Sequence, residues 1–307
     1  MNNSSQSTKK KTSTFERSRT ITGALFILPT FVFVCIFVLW PLFQVFRYSM
    51  TDWNGISADM NFVGFENFKA LTKLDGFWTM CRATVIYAIG VMALTIISAF
   101  LMALVLDKKG PLRINRGLMR SLWFFPCLLS GTVIGILWRI MYNYQNGIIN
   151  TLLKGAGLPK VNWLESPNIA MVAVIIASVW ASTGMCIIIF MAGLQSIDGS
   201  LYEAASIDGA TGNQQLWYIT VPMMAPSITI NVLTTTIAAF KMYELPLNIT
   251  NGGPGKATTL ITKNIYDLGF MSVKTGMGSA LSVVLILIIT LISLIQLVYL
   301  RKREDIY

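Results

Sequence analysis

Six long apolar runs alternate with short polar segments along this chain: Ile21–Phe46, Ala83–Leu106, Leu118–Tyr142, Ile169–Leu194, Val221–Met242 and Ser279–Leu300. Each holds about twenty residues or more, enough for a helix to cross a hydrocarbon layer of about 30 Å. All are too long for strands, and the intervening loops lack the alternation that a membrane barrel needs. The pattern therefore predicts an all-α polytopic membrane protein with about six transmembrane helices. One polar stretch, residues 195–220, lies between the fourth and fifth runs. Within it Leu201–Ile207 predicts a short helix with Glu203 near its start, where an acidic group suits the helix dipole. Gly209 and Gly212 end that helix, and Gln214–Ile219 predicts a second one before Pro222.

Composition agrees. Hydrophobic residues make up 54% of the 307, charged residues 12%, and the mean hydropathy is +0.61; a soluble domain carries about twice that charged share. The first apolar run is too long for a signal-peptide core and no small-residue cleavage site follows it, so it is expected to remain as a membrane helix. The chain then divides into a basic tail at 1–20, a membrane domain at 21–300 and a short tail at 301–307.

The net charge of +10 would point to nucleic acid in a soluble chain. Here its placement points to topology. Lys9, Lys10, Lys11, Arg17 and Arg19, then Lys108, Lys109, Arg113 and Arg116, then Arg301, Lys302 and Arg303 fall on one side of a six-span chain. The excess of basic residues marks that side as cytoplasmic, both termini included. Acidic residues join the lysines on the other side: Asp52, Asp59, Glu66 and Asp75 in the first outer loop, Glu244 and Asp267 in the third. The 195–220 loop departs from the rule, with Asp198, Glu203 and Asp208 but no Lys or Arg. Orientation is fixed elsewhere, which leaves this loop free for recognition.

Little points to chemistry. The chain has no histidine, and Cys35, Cys81, Cys127 and Cys186 form no CxxC pair, so neither a zinc site nor the commonest general base is at hand. Asn251-Gly-Gly-Pro-Gly-Lys256-Ala-Thr superficially looks like a phosphate loop. A true one has a glycine where Thr250 stands and a Ser or Thr where Ala257 stands. The segment reads as a turn-rich external loop, no cofactor is expected on this chain, and any ATP must be bound by another subunit.

Leu201-Tyr-Glu-Ala-Ala205, followed by Asp208-Gly-Ala and closed by Ile219-Thr-Val-Pro222, resembles the Glu-Ala-Ala loop of permease subunits in bacterial ABC importers. Trp40-Pro-Leu, Asn61-Phe-Val-Gly-Phe-Glu-Asn-Phe68, Asn146-Gly-Ile-Ile-Asn150, Leu247-Asn-Ile-Thr-Asn-Gly-Gly-Pro254 and Gly276-Met-Gly-Ser-Ala280 are similar to the carbohydrate branch that includes maltose, lactose and glycerol-3-phosphate permeases. The likeness runs from about residue 20 to 300. It implies a type I ABC importer permease fold in the bacterial cell membrane. The implied partners are a second, similar permease, two cytoplasmic ATPase subunits that bind ATP and Mg, and an extracytoplasmic solute-binding protein. It also implies that Glu203, Ala204, Ala205, Asp208 and Gly209 form the element that couples to the ATPase. The extra N-terminal spans and large outer domain of the maltose permease itself have no counterpart here.

Three ionisable residues lie within or at the ends of spans: Arg139, Lys241 and Glu244. For Arg139 interfacial anchoring is the favoured reading. Lys241 stands, counted back from Thr250-Asn-Gly-Gly-Pro254, where the maltose permease presents sugar-binding polar groups, and Glu244 follows it. Trp180, Thr183 and Thr235 occupy comparable inward positions, and Trp180 and Tyr243 have ring faces suited to a sugar. A lysine with three donors also suits acidic sugars. Two other classes stay open: an ion-coupled secondary transporter, expected to show an internal repeat and broken helices, and an intramembrane enzyme, which needs a constellation this chain hardly offers.

Overall fold

The computed structural model describes residues 14–107 and 116–304. Lys9, Lys10, Lys11, Lys108, Lys109 and Arg113, and residues 305–307, lie outside the described residues. Helices α1 (Thr14–Val34) and α2 (Trp40–Ser49) are joined by a π-helical turn at Cys35–Leu39, and α3 (Glu66–Thr72) precedes the long α4 (Phe77–Leu106). Next come α5 (Arg116–Phe124), α6 (Gly131–Met141), α7 (Ile148–Gly155) and the long α8 (Pro167–Ser196). Helices α9 (Gly199–Ile207), α10 (Gly212–Gln215) and α11 (Val221–Met223) make the polar loop and lead into α12 (Ala225–Lys241). Short helices α13 (Glu244–Thr250) and α14 (Ile261–Tyr266) then precede α15 (Thr275–Glu304).

Among the described residues, four helices are long and apolar enough to cross a membrane: Leu25–Ser49, Phe77–Leu106, Pro167–Ser196 and Thr275–Lys302. Two bent helix pairs bring that number to as many as six if each pair is one crossing. The uninterrupted third and fifth spans expected from hydropathy are both broken. The third is Gly117–Leu128 followed by Gly131–Met141, turned through 104°. Pro126 offers no N–H there, Leu129 is extended, and Ser130 caps a fresh helix by accepting from the Val133 amide at 3.3 Å. The fifth turns through 63° between Met223 and Ala225, where Pro222 and Pro226 lie on either side of the buried Met224.

Two π-helical turns precede prolines in the same register. The Trp40 amide reaches back to the Cys35 carbonyl and the Val221 amide to the Leu216 carbonyl, each one residue before Pro41 or Pro222. The widened turn accommodates the ring that would otherwise strike the preceding turn.

Helix α4 packs along α8, with α12 and α15 completing the bundle. Small residues line this contact: Ala83, Ala88, Ala99 and Ala103 on α4 and Ala170, Ala173 and Ala177 on α8 are all buried. Such residues let backbones approach where lipid gives helices no hydrophobic reason to associate. Hydroxyl bonds cross the interface from Tyr87 to Ser178 (2.9 Å) and between Ser98 and Thr183 (3.2 Å). At about 0.6 kcal/mol each in a membrane, they fix the register more than they supply cohesion. The first span lies at the rim, its apolar side chains from Leu25 to Trp40 largely uncovered and only α2 set against α15.

Candidate functional site

The polar loop folds as a helix–turn–helix. Asp198 caps α9 by accepting from the Ser200 amide (3.0 Å), a bond that holds its carboxyl below the ordinary range. The cap is therefore intact at neutral pH and is lost only as acid protonates it. At the other end the Ala210 amide donates to the Ala205 carbonyl (2.8 Å) and the Gly209 amide to the Ser206 carbonyl (3.2 Å). This is a Schellman ending, and its left-handed residue is Gly209 at φ +80°. The chain then enters α10 through a capping box between Thr211 and Gln214. Gln215 bonds back to Ser206 (2.9 Å) and Tyr202 meets Thr220 (2.9 Å), so the two arms hold each other.

On α9, Ser200, Glu203, Ala204 and Ile207 share one face at helical spacing, and all four are exposed. Ala205 is half-buried, and Asp208 is exposed as the C-cap. Sequence reasoning passed over Ile207, which is 87% exposed at the tip of the face. Its signal was the spacing of three from Ala204 and four from Glu203.

The sugar-contact candidates separate into two groups. Trp180 is half-buried and meets Trp138 edge-to-face at 5.7 Å, within a ring cluster that continues to Tyr142 and Trp163. Thr183 is buried and donates to the Val179 carbonyl (2.6 Å) beside Ser98; Thr235 is buried against the Cys186 thiol (3.4 Å). These three lie inside the packing of this chain. Lys241, Tyr243 and Glu244 instead come together where α12 ends and α13 begins, with Lys241 and Glu244 exposed. Lys241 lies in the last turn of α12 and Glu244 in the first turn of α13, each where the helix dipole favours its charge. Arg139, in the last turn of α6, is exposed.

Glu244 also lies against the start of α6. A Cβ placed on Gly131 would lie 3.1 Å from Glu244 Oε2, and one on Gly135 would lie 2.6 Å from Asn248 Cβ and 3.1 Å from the Leu245 carbonyl oxygen. The Gly131-Thr-Val-Ile-Gly135 pair thus lets α13 lie directly on the broken third span, a GxxxG contact between helices. Sequence reasoning passed over this motif, whose partner helix depends on the fold.

Residues 251–257 form successive turns, with positive φ at Asn251, Gly252, Gly255 and Lys256, and no strand precedes them. This is the turn-rich loop expected, without the geometry of a phosphate loop. Tyr243 stacks near Tyr266 (5.3 Å) and Tyr266 near Phe270 (5.4 Å). Burial raises the Tyr243 phenol, with Tyr266 and Asp267 adding to the effect.

Comparison with known proteins places these features in context. The family described as "Binding-protein-dependent transport system inner membrane component" matches residues 7–304. A probable ABC transporter permease of Bacillus subtilis, YurN, is 32% identical over 283 residues, covering 92% of this chain and 96% of that protein. The trehalose/maltose transport system permease MalF of Thermococcus litoralis is 32% identical over 286 residues, covering 92% and 95%. A chain of a bacterial alginate ABC transporter, solved in complex with an alginate pentasaccharide-bound periplasmic protein, has the same fold: TM-score 0.79, 20% identity, 94% of this chain and 97% of that one.

Proposed function

Since this chain belongs to the family of binding-protein-dependent transport system inner membrane components, we propose that it forms one wall of the pathway in an ATP-driven importer of sugars or oligosaccharides. It is a transport component and not an enzyme. A second permease would complete the pathway, two ATPase subunits would supply the energy, and an extracytoplasmic binding protein would deliver the sugar. The sugar class is supported by a relative whose name carries trehalose and maltose. An ion-coupled carrier finds no support among the relatives.

The observation that carries the coupling half of this reading is the exposed face of α9. Glu203, Ala204 and Ile207 stand clear of the bundle on a helix whose two ends are both capped. Such a helix is rigid enough to transmit a push and bare enough to seat in a partner's groove. In this reading the loop and both chain ends would face the cytoplasm, and Asp208 and Gly209 set the reversal behind the docking face.

Reconstituted alone in liposomes, the chain is expected to show neither ATP hydrolysis nor coupled uptake. The complete complex with its binding protein should import sugar and be inhibited by vanadate. Robust hydrolysis by the isolated chain would overturn the reading.

Lys241 and Glu244 are assigned to the pathway wall because both are exposed where the chain breaks between α12 and α13. Lys241→Ala is expected to lower uptake roughly tenfold, in line with the loss of one charged hydrogen-bonding group. Assembly and membrane insertion should be unchanged. Normal uptake with Lys241 and Glu244 both replaced by Ala would make them interfacial anchors.

A further inference from the structure

Helices α4 and α8 begin beside one another, next to the 251–257 loop, and a groove of about 320 Å³ runs between their first turns. Thr79, Arg82 and Asn168 form its rim, together with Ala257 of the loop. Below the rim the walls are apolar: Ala83 and Ile86 on α4, and Met171, Val172 and Ile175 on α8. The wall positions recur at three and four residues, so a single face of each helix lines the groove. It ends one turn further in, where the helices touch. A Cβ placed on Gly90 would lie 2.8 Å from Ile175 Cδ1.

Three properties decide what fits there. The groove is open at its side, since Ile86 is 43% and Val172 51% exposed while Ala83, Met171 and Ile175 are buried. Val85, Ile89 and Ile176 continue the exposed apolar surface around the opening. Such a flank suits acyl chains, whereas a route for hydroxylated solutes needs a polar lining. Arg82 is exposed, and among the described residues no carboxylate lies within ion-pair distance of it. Depth is the third property. Each of α4 and α8 has 30 residues, a length of about 45 Å against a hydrocarbon layer of about 30 Å. The excess puts Arg82, in the second turn of α4, at headgroup level, with the apolar walls in hydrocarbon. An arginine that merely snorkels to the interface needs no groove beneath it.

We infer that this groove is a binding site for one anionic phospholipid, its phosphate on Arg82 and its acyl chain between α4 and α8. A guanidinium without a carboxylate partner takes a phosphate through two parallel hydrogen bonds. The Thr79 hydroxyl and the Asn168 carboxamide supply donors for the remaining phosphate oxygens. A zwitterionic lipid presents the same phosphate with its own cation alongside, which offsets the attraction. Free phosphate could occupy only the rim and would leave the apolar walls uncovered. Because α4 and α8 pack along one another through the bundle, a lipid wedged between their first turns ties the spacing of that pair to the composition of the membrane.

The test uses the complete complex in nanodiscs, with two probes that carry a diazirine in the acyl chain: a phosphatidylglycerol and a phosphatidylcholine. Cross-linked peptides are mapped by mass spectrometry. Phosphatidylglycerol is expected to label residues 83–86 and 171–175, and to do so roughly fivefold more than phosphatidylcholine. Arg82→Gln should lower that labelling roughly fivefold, and Arg82→Lys should keep most of it. Val172→Trp, which fills the groove and leaves Arg82 in place, should abolish it. Both side chains are exposed, so co-purification of the complex should not change in any of these variants. Excess inorganic phosphate should leave the labelling as it is. Equal labelling by the two lipids, labelling unmoved by Arg82→Gln, or displacement by phosphate overturns the site. Absence of label from both segments overturns it as well, and would mean that another subunit covers the groove.

Discussion

Gly209→Val is expected to uncouple the transporter while leaving the protein in the membrane at its normal level. Gly209 sits at φ +80°, and a Cβ there would meet nothing within 4 Å. The penalty is thus entirely one of backbone conformation. For a β-branched side chain it is about 2 kcal/mol, a roughly thirtyfold loss in the population of the native turn. The cost falls on the Schellman turn itself, so the turn opens at Gly209 and α9 shifts against α10 despite the Gln215–Ser206 and Tyr202–Thr220 bonds. Sugar-stimulated ATP hydrolysis should fall at least roughly tenfold, and co-purification of the ATPase subunits should weaken with it. Gly209→Asn should retain most activity, because asparagine enters the left-handed region far more readily. Glu203→Ala should cost less than the valine variant, since an exposed ionic contact contributes little. Wild-type coupling in Gly209→Val would mean that this loop is not the coupling element.

The second large effect is expected at Gly135. Its missing side chain is occupied by α13: a Cβ would lie 2.6 Å from Asn248 Cβ and 3.1 Å from the Leu245 carbonyl. A backbone oxygen cannot swing aside, so Gly135→Leu must push the helices apart. Overpacking of this kind costs about 2–3 kcal/mol. The displacement also carries Glu244 away from the first turn of α6, so uptake should fall at least roughly tenfold alongside a lower melting temperature followed by tryptophan fluorescence. Unchanged melting and uptake would show that α6 and α13 do not need this close approach.

The apolar runs marked the helices able to cross a membrane, because a helix in lipid must be apolar wherever it points. Hydropathy carries no information on continuity, and so the third and fifth spans were expected whole. Pro126, Pro222 and Pro226 were visible, yet a proline in a membrane helix is often absorbed without a break. What turned the third span was the combination of Pro126 with the capping hydroxyl of Ser130. In the polar loop the helix, the stop at Gly209 and the restart before Pro222 were legible, since caps and glycine reversals are local. The helix starts at Gly199, however, which leaves Glu203 mid-helix and outside the first turn, and Gly212, expected as a breaker, opens α10 behind the Thr211 cap. Exposure of Ile207 was not legible, because it depends on where the bundle ends. The sugar candidates differ in exposure for the same reason. Trp180, Thr183 and Thr235 were chosen by position along a span, while their burial depends on contacts with α4, α6 and α8 from distant parts of the chain.

The break in the third span also dictates an order of biosynthesis. Its second half, α6, lies mainly against α13, which the ribosome reaches only after α8 and α12 have been made. Until then the bare stripe of Gly131 and Gly135 has no surface to meet, and an eleven-residue helix is too short to span the bilayer alone. With each bent pair counted as one crossing, the crossings are therefore not expected to settle one after another from the N-terminus. The third is expected to settle late, against residues that follow the fifth.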